Sequence, residues 1–294
     1  MLITCAADIA AKMFTRADQM LIEQSEDAFP LHVIEYYWKN FDPGVVVHDV
    51  RSGMISELDL DPVSIAVSKK RICIGLFDDH GDYVKCPKAA PVTRFIQCAD
   101  CSKEVFLPVQ ECVFEPRCEG ERCDLDFCRR EHVLYVAFYD TKMKVGMSSS
   151  RRVERRLIEQ GADAFAIIGK RPTRLQARKL EKELSAKLGI PQWVKKESVL
   201  RNLSRKVDKR GIEGRYIGLK MTLDEMFALA PEPLHWLDGY PIKLPLEHVP
   251  HLQASWGMHK GKCVGMKGRY LIYNSDGLRA LDLSDLPSRY VMPR

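Results

Sequence analysis

Long hydrophobic runs are missing from this sequence. No window of its 294 residues approaches the roughly 18 consecutive apolar residues that a membrane span needs, so no membrane partner is expected. The first residues, MLITCAADIAAKMF, carry only a short apolar run that Asp8 interrupts. No basic region precedes it, which argues against a secretion signal and for a cytoplasmic protein. Internal repeats and low-complexity tracts are also absent. Disorder is not the default reading either, because hydrophobic residues make up 46% and charged residues 29% of the chain, as in ordinary globular proteins.

Cysteine, by contrast, is abundant. Ten are present, and six of them fall between Cys98 and Cys128. A reducing compartment disfavours structural disulfides, so clustered cysteines there point to metal. The pattern is Cys98-x2-Cys101, Cys112, Cys118-x4-Cys123 and Cys128. A C-x2-C knuckle aims two thiolates at one ion, and a second pair closes the four-sulfur shell that zinc favours. The expected ligands of a structural zinc are four of Cys98, Cys101, Cys118, Cys123 and Cys128. Cys112 sits in an apolar stretch and is open to a core role. His132 could supply a nitrogen ligand or simply start the next strand. Cys5, Cys73, Cys86 and Cys263 are scattered, and read as small core residues.

The net charge is +5, a weak pointer to nucleic acid by itself. Its distribution is more telling. Between Arg151 and Lys182, ten lysines and arginines are opposed only by Glu154, Glu159, Asp163 and Glu181.

The patterning divides the chain. Residues 1–30 read as an amphipathic helix. Residues 31–97 hold short β-branched and aromatic runs between turn signals, a small β-rich domain. Residues 98–132 are the cysteine element. Residues 133–195 read strand, turn, strand, helix, strand, helix. The first helix is entered through Ser148–Ser150 and stopped by Gly161. The second starts near Pro172–Thr173 and stops at Gly189, with Leu180, Leu184 and Leu188 as its apolar stripe. Residues 196–215 are basic and polar, a linker or an exposed helix, and the remainder to 294 reads as a second β module with a hairpin at Asn274–Gly277.

Within 133–195 the chemistry-bearing residues fall in a recognisable order. Val133-Leu134-Tyr135 lies on the first strand and Lys144-Val145-Gly146 on the second. Val153-Glu154-Arg155-Arg156-Leu157 forms the next helix, and Leu180-Glu181-x-x-Leu184 the one after. This resembles the GIY-YIG nuclease superfamily, with Val133 in place of the first glycine and Lys144 in place of the second tyrosine. The chain also resembles a microbial family in which a cysteine cluster leads directly into such a core. That likeness rests on the run from Cys98 through Pro116 to Cys128-x3-His132 and on the GMKGRYLIY segment. The resemblance implies a three-stranded antiparallel sheet with flanking helices inside an α+β protein. It implies Tyr135, Arg156 and Glu181 as catalytic residues, with Arg155 a competing choice for the arginine.

Elementary chemistry agrees with those residue types. Phosphodiester cleavage needs a nucleophile or base, cations on the phosphoryl oxygens, and usually a divalent metal. An arginine fork matches phosphate, and one carboxylate with substrate oxygens and waters suits Mg²⁺ or Mn²⁺. Glu181 is that carboxylate. Arg174, Arg178 and Glu181 share one helix face, and Arg152 and Arg156 share a face of the preceding helix. Lys144, Arg152, Arg155, Arg174 and Arg178 are the expected contacts to a nucleic-acid backbone, DNA or RNA. Two functions stay open at this point: a metal-dependent nuclease, and a zinc-containing nucleic-acid-binding protein on a degenerate core.

Overall fold

The computed structural model describes residues 29–78, 80–105, 110–121 and 126–294. The helix expected over 1–30 therefore lies, save for residues 29 and 30, outside the described residues, as do Cys5 and Cys123. The first strands are β1 (Leu31–Lys39), β2 (Asp42–Asp49), β3 (Ile55–Glu57) and β4 (Val63–Arg71), followed by a small hairpin of β5 (Leu76–Phe77) and β6 (Tyr83–Val84). Two short helices follow, α1 (Ala99–Val105) and α2 (Asp126–Arg129). Next come β7 (His132–Tyr139), β8 (Lys142–Ser149), α3 (Val153–Gln160), β9 (Ala164–Arg171) and α4 (Arg174–Leu188). The basic stretch after them is helical, as α5 (Lys196–Asn202) and α6 (Lys209–Phe227). The last strands are β10 (His235–Trp236), β11 (His251–Leu252), β12 (Gly257–Lys267), β13 (Tyr270–Ser275), β14 (Gly277–Asp282) and β15 (Arg289–Pro293).

The two β-rich segments, read from sequence as separate modules, contribute to one sheet. Its order is β11-β14-β13-β12-β4-β15-β1-β2-β3. It is mixed, because β11 runs parallel to β14 while the other pairs are antiparallel. One face buries Val33, Val47, Ile65, Val67, Leu271 and Leu281 in a common core.

A second, antiparallel sheet has the order β10-β9-β7-β8. It has four strands rather than the expected three, because His235 and Trp236 pair with Phe165 and Ala164. That pairing joins residues about seventy positions apart, which local patterning does not encode. β7 is flanked on both sides, and all eight of its residues are buried. Its alternation sorts two cores. Val133, Tyr135, Ala137 and Tyr139 pack with Leu157 and Ile158 of α3. Leu134, Val136 and Phe138 pack with Ala177, Leu180 and Leu184 of α4 and Leu219 of α6. Each fully buried aliphatic side chain contributes about 1.5–3 kcal/mol.

Local signals fix the helices. The Thr173 hydroxyl accepts a bond from the Gln176 amide at 3.3 Å, and Gly189 ends α4 in the left-handed conformation. Gly161 ends α3 in the same way. The serines expected to lead into α3 do otherwise: Ser148 and Ser149 complete β8, and Arg152 precedes the helix without a side-chain cap.

The sheets meet at the GMKGRYLIY segment. Gly268 faces Gly161 so closely that a Cβ on Gly268 would stand 2.5 Å from the Gly161 Cα. Beside it Lys267 forms a buried ion pair with Asp163, and the Trp38 Nε1–H donates to the Gly268 carbonyl at 3.2 Å. No helix among the described residues is long and apolar enough to cross a membrane.

Candidate functional site

A cleft of about 360 Å³ opens beside the edge strand β8. Tyr135 reaches it from β7, Lys144 from β8, Arg156 from α3, and Arg174, Arg178 and Glu181 from α4. Tyr135 is on the central strand, yet its ring arrives at the cleft because Gly146 on β8 lets it pass. A Cβ at Gly146 would lie 2.5 Å from both the ring Cζ and the hydroxyl of Tyr135. The register puts the two residues directly opposite each other.

The cleft is cationic and well buried. The Lys144 ammonium is bonded to the Gln160 side-chain oxygen at 2.5 Å and lies 5.9 Å from the Tyr135 ring centroid. Burial holds the Lys144 amine below its ordinary range, and the Arg156 charge adds to this, against the opposing pull of Tyr135 and Glu181. Arg156 also interacts with Tyr135, yet its buried Nε–H has no hydrogen-bond partner among the described residues. A buried donor left unmade costs about 1–3 kcal/mol. Glu181 is only 6% exposed, and Arg178 engages its Oε2 at 2.6 Å while also bonding Gln192 at 2.7 Å.

The cysteine element also lines the cleft, through Phe114, Pro116 and Phe127. Basic side chains of α4 fasten it. Arg174 donates to the Cys112 carbonyl at 2.5 Å and lies over the Phe127 ring, while Arg178 and Lys182 pair with Glu115 at 3.3 and 2.6 Å.

A second constellation lies at the β5–β6 hairpin. The thiols of Cys73, Cys86, Cys98 and Cys101 all lie within 4.8 Å of one another, close enough to hold one metal ion. The sulfur of Cys73 accepts backbone N–H bonds from Cys98 at 3.1 Å and Gly75 at 3.4 Å, donors that favour a thiolate. Burial raises the Cys73 thiol to about 11. Burial acts the same way on Cys86, but backbone donors at Ala90 and Lys88 and the neighbouring thiols outweigh it and bring it to about 7. Backbone N–H donors at the cluster thus favour the thiolate, which is the form that binds metal.

Residues 61–288 match the family model described as "Protein of unknown function (DUF2797)". The chain belongs to this family. The matched DUF2797 span contains the four-thiol cluster and every residue named in the cleft. No curated protein and no solved structure matches the chain.

Within the DUF2797 span, the sequence-selected residues divide clearly. Tyr135, Lys144, Arg152, Arg156, Arg174, Arg178 and Glu181 line the same cleft. Arg155 does not. It is one helical step, about 100°, from Arg156, and points to Glu159 at 2.9 Å and Glu35 at 3.5 Å. Of the expected metal ligands, Cys98 and Cys101 are in the thiol cluster. Among the described residues, Cys118 and Cys128 are not; the other two thiols of that cluster are Cys73 and Cys86, which the sequence suggested were core residues. The hairpin β5–β6 folds those two thiols back onto the knuckle. Two features marked them: Cys73 begins a Cys-x-Gly turn, and Cys86 precedes a proline after a turn-rich stretch. Cys128 is buried near Arg174, Cys118 and Cys112. Burial pushes its thiol up, the guanidinium opposes this, and the two neighbouring thiols add to the rise. His132 is a buried strand residue whose Nδ1 meets the Arg130 carbonyl at 2.8 Å. A carbonyl only accepts, so Nδ1 carries the proton and Nε2 is the basic nitrogen of the neutral ring.

Proposed function

We propose that this protein is a metal-dependent nuclease-like enzyme acting on the phosphodiester bonds of DNA or RNA, with a structural zinc in the four-thiol cluster. The observation that carries this reading is the convergence of Tyr135, Arg156 and Glu181, from three different elements, on one cationic cleft. Their order along the chain is that of the GIY-YIG nucleases.

The residues divide the work on chemical grounds. Arg156, which lines the cleft beside Tyr135, is a guanidinium donor for a phosphoryl oxygen. Lys144 and Arg174 add positive charge where the transition state gains negative charge. Tyr135 positions or deprotonates the attacking water. Glu181 is the carboxylate for Mg²⁺ or Mn²⁺, and the ion, when bound, would neutralise phosphoryl charge and acidify water. The four cysteines suit zinc because a closed tetrahedral sulfur shell leaves no position for substrate.

The test is cleavage of single-stranded, duplex and branched DNA and of structured RNA with Mg²⁺ or Mn²⁺. Glu181→Gln and Tyr135→Phe should each reduce cutting by about 10²-fold or more, the scale of losing one positioned catalytic group. Unchanged cutting by both folded variants would refute the assignment. A second reading, nucleic-acid binding without cleavage, is favoured by one contact: Arg178 already occupies one oxygen of Glu181. It predicts no cutting by the parent protein, with binding that weakens steeply as salt rises.

A further inference from the structure

Phe114 stands out at the cleft wall. The segment carrying it is anchored on both sides, by Arg174 at the Cys112 carbonyl and by Arg178 and Lys182 at Glu115. The chain is thus held, yet the phenylalanine between these anchors remains 49% exposed at the rim of the cleft. Its ring is backed by other flat groups. The Arg94 guanidinium lies 4.4 Å from its centroid, and the Phe95 ring is 5.8 Å away at an interplanar angle of 36°. An aromatic ring braced by a guanidinium and open to solvent beside a cationic cleft is the arrangement that stacks a nucleobase while its phosphates are gripped.

We propose that Phe114, with Arg94 and Phe95, is a nucleobase-stacking platform, and that the cleft takes single-stranded or locally unpaired nucleic acid. The inference rests on the reading of the cleft as a nucleic-acid site and narrows its substrate. In a duplex both faces of each base are covered by its neighbours, so this ring offers a paired strand nothing. An unpaired base has a free face, and it is the cationic surroundings that select a nucleotide over other apolar partners.

The experiment measures binding to the full chain carrying Glu181→Gln, without added divalent metal, so that cleavage does not intervene. Three probes are compared: a single-stranded oligonucleotide, the same backbone with abasic residues, and a duplex of the same sequence. Phe114→Ala should weaken single-strand binding about tenfold, the lower part of the range for one stacked base. Abasic and duplex binding should not change. Phe114→Trp should restore affinity, and its emission, taken against the parent's, should be quenched by the single strand but not by the abasic one. Because that emission needs only the folded chain, it decides the matter even if Phe114→Ala proves unstable. Equal binding of single-stranded and abasic probes, or emission from the Phe114→Trp protein that stays unquenched at saturation, would overturn the platform while leaving the cleft's nucleic-acid role standing. Binding of no probe even at low salt would overturn both.

Discussion

Replacing Gly146 with alanine tests the cleft's construction directly. The added methyl would sit 2.5 Å from the Tyr135 ring and hydroxyl, whereas carbon atoms prefer roughly 3.5–4.0 Å. The ring must therefore shift by about 1 Å or more. It has little room, since Tyr135 is 1% exposed and packed with Leu157 and Ile158. Forcing a methyl into a filled core costs about 1–3 kcal/mol. At roughly 2–4 °C per kcal/mol for a chain of this order, the melting temperature should fall by about 2–12 °C. On the proposed nuclease reading, a displacement of Tyr135 by about 1 Å should also lower the cleavage rate on the order of 10²-fold. The assay is a double-mutant cycle read by thermal unfolding, with Gly146→Ala in the parent and in a Tyr135→Leu background. The penalty should largely vanish in the second, because the clash is with the tyrosine's outer ring atoms. A Gly146→Ala protein with parental stability and cleavage, or a penalty that persists without the tyrosine, would refute this account of how Tyr135 reaches the cleft.

Other expectations follow from the same geometry. Cys73→Ser and Cys86→Ser should lower bound zinc as much as Cys98→Ser does, whereas Cys118→Ser should leave that ion in place; elemental analysis of purified protein distinguishes the two groups. Burial drives His259 from 6.5 down to about 4. Below pH 6.5 the unfolded chain takes up a proton that the folded one refuses, so this stabilisation is present above 6.5 and is lost as pH falls towards 4, by up to roughly 3 kcal/mol. The urea midpoint of a His259→Gln variant should fall less than the parent's over that window. Lys267→Met leaves Asp163 buried without its cation, which should cost about 3–5 kcal/mol, and adding Asp163→Asn should recover much of it.

What the sequence disclosed follows from the range of each signal. The elements of the 133–195 segment were legible because their cues are local: alternating apolar runs for β7 and β9, Thr173 and Gly189 at the ends of α4. The phase of α3 could have separated Arg156 from Arg155. Val153 and Leu157 are buried, and Arg156, three residues after the first, lies near that side. Cys98 and Cys101 were legible as a knuckle. Cys73 and Cys86 were not, because single thiols thirteen positions apart carry no ligand spacing until a hairpin brings them together. The single large sheet was hidden for the same reason, since Val67 pairs with Gly257 and with Val291 across some two hundred positions.

That sheet has a consequence for how the protein is made. β15 lies between β4 and β1, pairing with both. On the ribosome, β1 and β4 are therefore produced early but remain unjoined until residues 289–293 emerge. In the interval each presents a bare strand edge of the kind that recruits other chains, and closing such distant pairings is slow. The segment 132–188, whose strands and helices lie close in sequence, waits only for α6 and β10, which emerge well before β15. The cleft's scaffold can thus form during synthesis, while the sheet that braces it through Gly268 and Lys267 closes only afterwards.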